Sequence, residues 1–391
     1  MLFSLSLIFL VGLLASYFCS LIKLPRLFGM ILTGILLGPC VLNAIDSSIL
    51  NISAELRKIA LIIILTRAGL TLQIQDLKKV GRPAFLMCFL PATFELIGMI
   101  LIAPKLFNLT LLESALLGTV IAAVSPAVIV PKMIKLIENG YGTKAGIPQL
   151  ILAGASVDDV FVIVLFSAFL SLAQGQEVLA LQFVNIPVSI ILGIAIGFFV
   201  GWFLSIIFHK FHIRDTIKVL IFLSISFLLV TMEDAITIPI TFSALISIMF
   251  IGIGLQKSKP EVSKRLSVKF NKLWVGAEIL LFVLVGATVE LSYVTKAGIR
   301  AVILIFGVLL FRTVGVWLCL LLTSITYKER LFCIIGYLPK ATVQTAIGSI
   351  PLTLQLPCGN IVLTIAVLAI LITAPLGSFL IDLTYKKLLT K

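Results

Sequence analysis

The sequence predicts an all-α, polytopic membrane protein of about thirteen transmembrane helices, built as inverted six-helix repeats with two crossed, interrupted helices. Three observations predict this. Of the 391 residues, 60% are hydrophobic and only 12% charged, with a mean hydropathy of +1.23; an ordinary soluble chain carries about 25% charged residues. Apolar runs of roughly 20 residues, the length of a helix that crosses a bilayer, recur from end to end. Basic residues gather on alternate connections between those runs.

In order, the runs lie near residues 2–22, 27–45, 56–75, 84–104, 110–131, 147–171, 186–208, 216–232, 236–255, 273–292, 298–323, 331–352 and 361–385. The first, LFSLSLIFLVGLLASYFCSLI, lacks a positive n-region and a small-residue cleavage site, so it reads as a retained span rather than a signal peptide. No connection is long enough for a soluble domain. The longest, QKSKPEVSKRLSVKFNK, reads as a basic surface linker or amphipathic helix. One set of connections holds twenty-two Lys and Arg, among them Lys23, Lys78, Lys79, Lys132, Arg214, Lys218, Lys259 and Arg265. The other holds five: Arg57, Lys58, Lys105, Lys296 and Arg300. The positive-inside rule then places the N-terminus outside and the C-terminus in the cytoplasm, with a bacterial inner (plasma) membrane as the expected location. The net charge of +13 follows from topology, and a nucleic-acid partner is not expected. The six cysteines (Cys19, Cys40, Cys88, Cys319, Cys333 and Cys358) show no metal-ligand spacing and read as structural or bystander thiols. His209 and His212 fall in a cytoplasmic loop and read as solvated, a modest pH-sensing role being the alternative. No nucleophile–base set emerges, so an enzyme is not expected, nor is a cofactor.

The halves of the chain are alike. LTRAGLTL (65–72) in the third run resembles LVGATVEL (284–291) in the tenth, and interruptions fall in the fifth run (AAVSPAVIVP) and the twelfth (YLPKATVQTAIGSIP). Both matches are seven runs apart, and because seven is odd the second copy enters the membrane upside down. Inverted repeats with breaks in matching positions point to a secondary transporter whose site lies where the breaks cross. Pro126, Pro131, Pro339 and Pro351 mark those breaks, since each removes a helix donor and frees a carbonyl; two kinked helices are the plainer reading. The half-helix ends bear partial charges that need compensation, and Lys340 is placed to supply it.

Arg67, Glu95, Asp158, Asp159, Glu278, Arg312 and Lys340 fall inside runs, away from their ends. Such residues are costly in hydrocarbon and by default mark an ion path or a buried pair. Asp158 and Asp159 are adjacent in the sixth run, and on a helix they point about 100° apart. One is therefore expected to bind a transported cation and the other to support it, with Ser125, Ser156 and freed carbonyls completing an oxygen shell suited to Na⁺. Protons competing for the same carboxylate would make the cycle an exchange. Structural satisfaction of both acids by Lys and Arg is the competing reading. Glu95 and Arg312 occupy nearly corresponding places in the two repeats and are expected to form a structural ion pair. Arg67 and Glu278 would either snorkel or line a path.

Together, GASVDDV, AAVSPAVIVP, GILLGP, RAGLTL and LPKATVQTAIG resemble the monovalent cation/proton antiporter superfamily, in particular its paired-aspartate branch, the bacterial Na⁺/H⁺ antiporters and the sodium/hydrogen exchanger 9B group. The resemblance runs over nearly the whole chain. It implies a homodimer and elevator-like alternating access, with transported Na⁺ (or Li⁺) and H⁺. Its domains map discontinuously: a dimerisation domain over 1–82 and 214–296, a core ion-transport domain over 83–172 and 297–391, and a linker helix over 173–213. It also implies that Asp159 is the main ion-binding carboxylate, and that Arg312 pairs with Glu95 where some electrogenic relatives have a lysine paired with the first aspartate. Val124 departs from the threonine of many bacterial relatives, which removes one oxygen ligand. The alternatives are a K⁺/H⁺ antiporter and a non-transporting ion sensor. Regulated potassium-efflux relatives usually carry a nucleotide-binding domain, whereas this sequence ends about six residues after its last run; a sensor would need an output domain.

Overall fold

The computed structural model describes residues 1–22, 24–71, 81–174, 180–211, 213–235, 242–289 and 291–391. Lys23, Lys78, Lys79 and His212, and parts of the predicted runs 56–75 and 236–255, lie outside the described residues. The described secondary structure is helical, with no strand among the described residues. In chain order come α1 (Leu2–Leu21), α2 (Arg26–Leu37), the short α3 (Ser47–Asn51) and α4 (Ser53–Thr71). They are followed by α5 (Arg82–Met87), α6 (Leu90–Phe107), α7 (Leu111–Ala122), α8 (Pro126–Glu138) and α9 (Ile147–Ala173). Next are α10 (Ala180–Lys210), α11 (Asp215–Ala235), α12 (Ala244–Ser258) and α13 (Pro260–Ala287). The chain ends with α14 (Leu291–Cys319), α15 (Tyr327–Gly336), α16 (Thr342–Ile347), α17 (Ile350–Thr353) and α18 (Gly359–Leu388).

Among the described residues, nine helical stretches are long and apolar enough to cross a membrane, and α2 and α12 are shorter apolar helices. The predicted twelfth run is not one rod. It is broken into α15, α16 and α17 of ten, six and four residues. The fifth run is likewise split into α7 and α8, with residues 123–125 non-helical between them. Both interrupted stretches begin with the same device. Thr110 caps α7 and Thr326 caps α15, and in each case the glutamate three residues on, Glu113 or Glu329, reaches back to the cap's backbone N–H. This reciprocal capping box satisfies two donors that a helix start leaves open.

The chain divides into two compact units: Met1–Ala54, Ile74–Ala173 and Leu281–Lys391 form the first, and Glu55–Gln73 with Gln174–Leu280 the second. In the first unit, α6 packs along α14, and α7, α9 and α18 pack nearby. Backbones come close where glycine permits it: a Cβ at Gly34 of α2 would stand 2.0 Å from the Val283 carbonyl oxygen of α13. In the second unit, α10 packs along α12. Cβ atoms at Gly197 and Gly201 would each stand 2.3 Å from a carbonyl oxygen of α12, Ser247 and Ile251 respectively. Small residues at that spacing let two apolar helices gain dispersion contact without the hydrophobic driving force that lipid removes.

Candidate ion site

The site is built in the first unit, where the two broken stretches meet. Pro126 forces the first break: it has no N–H and its ring disfavours helical geometry in the residue before it. Ala123 and Ser125 are accordingly extended (φ −69°, ψ 143° and φ −94°, ψ 108°), and Pro126 opens α8. The second break runs through Leu338–Ala341 and contains Pro339. The breaks touch through their backbones, Ser125 N donating to Pro339 O at 2.8 Å. One of the four proline predictions needs correction. Pro131 lies inside α8, which continues through it to Glu138, so it is not at a break. Pro351 sits in the first turn of α17, where a missing N–H costs little, and the chain interrupts just before it at Gly348–Ser349.

The end of α7 leaves carbonyls without helical partners and carries the negative pole of the helix dipole. Three side chains answer it. Lys340 Nζ donates to Ile121 O at 2.8 Å, Arg312 Nη1 donates to Ala122 O, and Gln344 Nε2 donates to Ile121 O at 3.1 Å and Ala123 O at 2.7 Å. On the other side of the break, Val124 N donates to Asp158 Oδ2 at 2.8 Å. Arg312 Nε donates to Tyr337 O at 2.7 Å, and Lys340 N to Thr373 Oγ1 of α18 at 3.0 Å.

The side chains that bind these ends also bind one another. Arg312 Nη1 lies 2.6 Å from Glu95 Oε2, and Arg312 Nη2 lies 3.2 Å from Asp158 Oδ2. Lys340 Nζ lies 2.7 Å and 2.8 Å from the two Glu95 oxygens. Glu95, Asp158 and Lys340 are fully buried and Arg312 is 1% exposed. Two cations thus face two carboxylates in a neutral, closed network, the arrangement that keeps buried charge tolerable. The structure brings Glu95 and Arg312 together and adds Lys340 and Asp158 to the pair.

Asp159 makes none of these contacts. It is half-buried, and its Oδ1 is buried without a hydrogen-bond partner. Asp158 Oδ1 and Ser125 Oγ are buried and unpartnered as well. Oxygen acceptors left open beside broken helix ends are the donor set a hard monovalent cation takes. Ser156 lies on α9 with the aspartates, and its side chain lies outside the described residues. In the second unit, Arg67 and Glu278 interact electrostatically with each other.

Sequence reading did not assign Gln344 or Thr373, or the Tyr337 carbonyl. Gln344 stands in the quoted PKATVQ stretch, and its place two residues into the helix after a break is the signal that would have found it. Gly154 gives room to the same region: a Cβ there would stand 1.9 Å from the Tyr337 hydroxyl.

Two interrupted helices that touch beside an acid doublet point to a secondary transporter. Residues 5–387 match the family model described as sodium/hydrogen exchanger, transmembrane. The chain is 33% identical over 416 aligned positions to sodium/hydrogen exchanger 9B2 of Homo sapiens, covering all of this chain and 75% of that protein. With sodium/hydrogen exchanger 9B1 of Homo sapiens it shares 32% over 412 positions, all of this chain and 78% of that protein. Its fold is similar to the sodium proton antiporter MjNhaP1 from Methanocaldococcus jannaschii at pH 8, with a TM-score of 0.85 at 21% identity over 98% of this chain and 97% of that one. The chain belongs to the sodium/hydrogen exchanger family.

Proposed function

We propose that the protein exchanges Na⁺ (or Li⁺) for H⁺ across a plasma membrane, with cation and proton competing for Asp159. One observation carries this reading. Asp158 spends an oxygen on Arg312 and the Val124 amide, while Asp159 keeps a carboxylate oxygen without a partner. Asp158 therefore supports the break and Asp159 exchanges. A carboxylate that must release one ion to take another cannot also be locked in a salt bridge. Ser125 Oγ and the free oxygen of Asp158 complete the cation's shell, and dehydrating the ion is offset by these oxygens.

The wider architecture follows the same proposal. Thirteen crossings form two inverted six-helix repeats, an arrangement supported by the matched capping boxes at Thr110 and Thr326. The core segments 83–172 and 297–391 move as an elevator against the segments 1–82 and 214–296 of a homodimer, with 173–213 as the link. That division is one of motion; by packing alone, 1–54 groups with the segments that carry the site. The N-terminus lies outside, as the distribution of Lys and Arg requires.

The test is transport in proteoliposomes under an imposed pH gradient, with Na⁺, Li⁺ and K⁺ supplied separately. Asp159→Asn is expected to abolish exchange while Asp158→Asn lowers stability. Wild-type rates in Asp159→Asn would remove Asp159 from the site, and exchange with K⁺ alone would replace the cation.

A further inference from the structure

The second unit carries a cluster of charge that ion exchange does not use. Where α10 ends and α11 and α13 begin, a cavity of about 450 Å³ is lined by Arg214, Lys218, Lys259 and Arg265, with a single carboxylate, Asp215. That carboxylate is already engaged: its Oδ1 lies 3.3 Å from Lys218 Nζ and its Oδ2 lies 3.0 Å from Arg265 Nε. One negative charge therefore answers four positive ones, which leaves a formal excess of three. Lys218 is only 4% exposed, and its Nζ stands 5.5 Å from the centroid of the Phe208 ring. Its one carboxylate, at 3.3 Å, is shared with Arg265, so a lysine held that far from water gains from further negative charge in the cavity. Arg214 and Lys259 each immediately precede the first residue of a helix, Asp215 of α11 and Pro260 of α13, where the backbone adds positive potential.

The shape of the cluster selects its ligand. A carboxylate offers two oxygens in one plane, whereas four cationic groups from two chain segments surround a volume. A phosphate presents three oxygens in a tetrahedral arrangement and up to two charges, and Arg forks and Lys ammoniums are its usual partners. The cavity is also much larger than an inorganic ion and falls within the range of about 300–1,000 Å³ typical of small-molecule sites. Phe208, Ile213 and Val262 supply an apolar part of the wall. We propose that this cavity binds an organic phosphate, held by Arg214, Lys218, Lys259 and Arg265. Its source is either the headgroup of a phosphorylated lipid or a water-soluble phosphate ester.

The test uses the purified full-length protein in detergent. It is titrated separately with dioctanoyl phosphatidylinositol 4-phosphate, with inositol 1,4-bisphosphate and with dioctanoyl phosphatidylcholine. The wild type is expected to bind at least one of the first two and not the third. The Arg214→Gln/Lys259→Gln variant, which leaves the Asp215 pairs in place, is expected to bind about tenfold more weakly or worse. Binding of the phosphorylated lipid alone assigns the site to a headgroup, and equal binding of the soluble ester assigns it to a free anion; both support the site. Arg214→Gln alone, at an exposed position, provides a variant that keeps its fold. Lys328→Gln, an exposed lysine of the first unit, is expected to bind like the wild type. Failure of both phosphorylated probes, undiminished binding by the double variant, or an equal loss in Lys328→Gln would each overturn the proposal.

Discussion

Removing Glu95 and Arg312 singly and together tests whether the buried network is one unit. Glu95→Gln leaves Arg312 and Lys340, at most 1% exposed, without the carboxylate that each touches at 2.6–2.8 Å. Arg312→Gln strips Asp158 of its cation and takes donors from Ala122 O and Tyr337 O. Breaking a buried pair from one side costs about 3–5 kcal/mol. With an unfolding entropy of about 2.1 cal/mol/K per residue, 391 residues convert that into a fall in Tm of about 4–6 °C for each single variant. In the double variant the charge left stranded by each single change is gone, so the loss should fall short of the sum by about 0.5–3 kcal/mol. The assay is thermal unfolding of the purified protein in detergent, following tryptophan fluorescence. Strict additivity of the two losses would show that the groups act independently and would refute the network.

Other expectations bear on single positions. Ser125→Ala removes an oxygen that makes no hydrogen bond within the protein, so Tm should stay within about 1 °C while the KM for Na⁺ rises; an unchanged KM in proteoliposomes would exclude Ser125 as a ligand. Gln344→Ala leaves the buried Ala123 carbonyl without its donor and should cost about 1–3 kcal/mol, read as a lower Tm together with slower exchange. Gly34→Leu forces a side chain against the Val283 carbonyl; overpacking of this kind costs roughly 1–3 kcal/mol or more, and a Tm equal to the wild type would refute the close approach of α2 and α13.

The positions that carry charge were legible because hydrocarbon makes them rare. Glu95, Asp158, Arg312 and Lys340 each stand out in an apolar run, and the structure gathers all four. What sequence left open was the pattern of pairing, because Arg312 can reach two carboxylates and only three-dimensional placement shows that it holds both. Pro126 was a readable break, since it follows an extended Ser125. Pro131 misled because a proline five residues into a helix need not end it, and here it lies on the exposed face of a helix that runs on to Glu138. Gln344 and Thr373 went unassigned for a different reason: their partners are main-chain groups, which leave no letter in the sequence. The 100° helical step sets the two aspartates apart, and of the two it is Asp158 that holds Arg312 and the Val124 amide.

The hydrogen bond from Ser125 N to Pro339 O has a consequence for how such a protein changes over generations. A contact between two main chains does not ask which side chains its residues carry. Neighbours such as Ala122, Ala123 and Val124 enter the crossing through carbonyls and amides, so their letters can drift while the shape persists. Selection then acts on the spacing of the interruptions and on the few side chains that reach back to them. A shared shape at a TM-score of 0.85 with only 21% identity is the record such drift would leave.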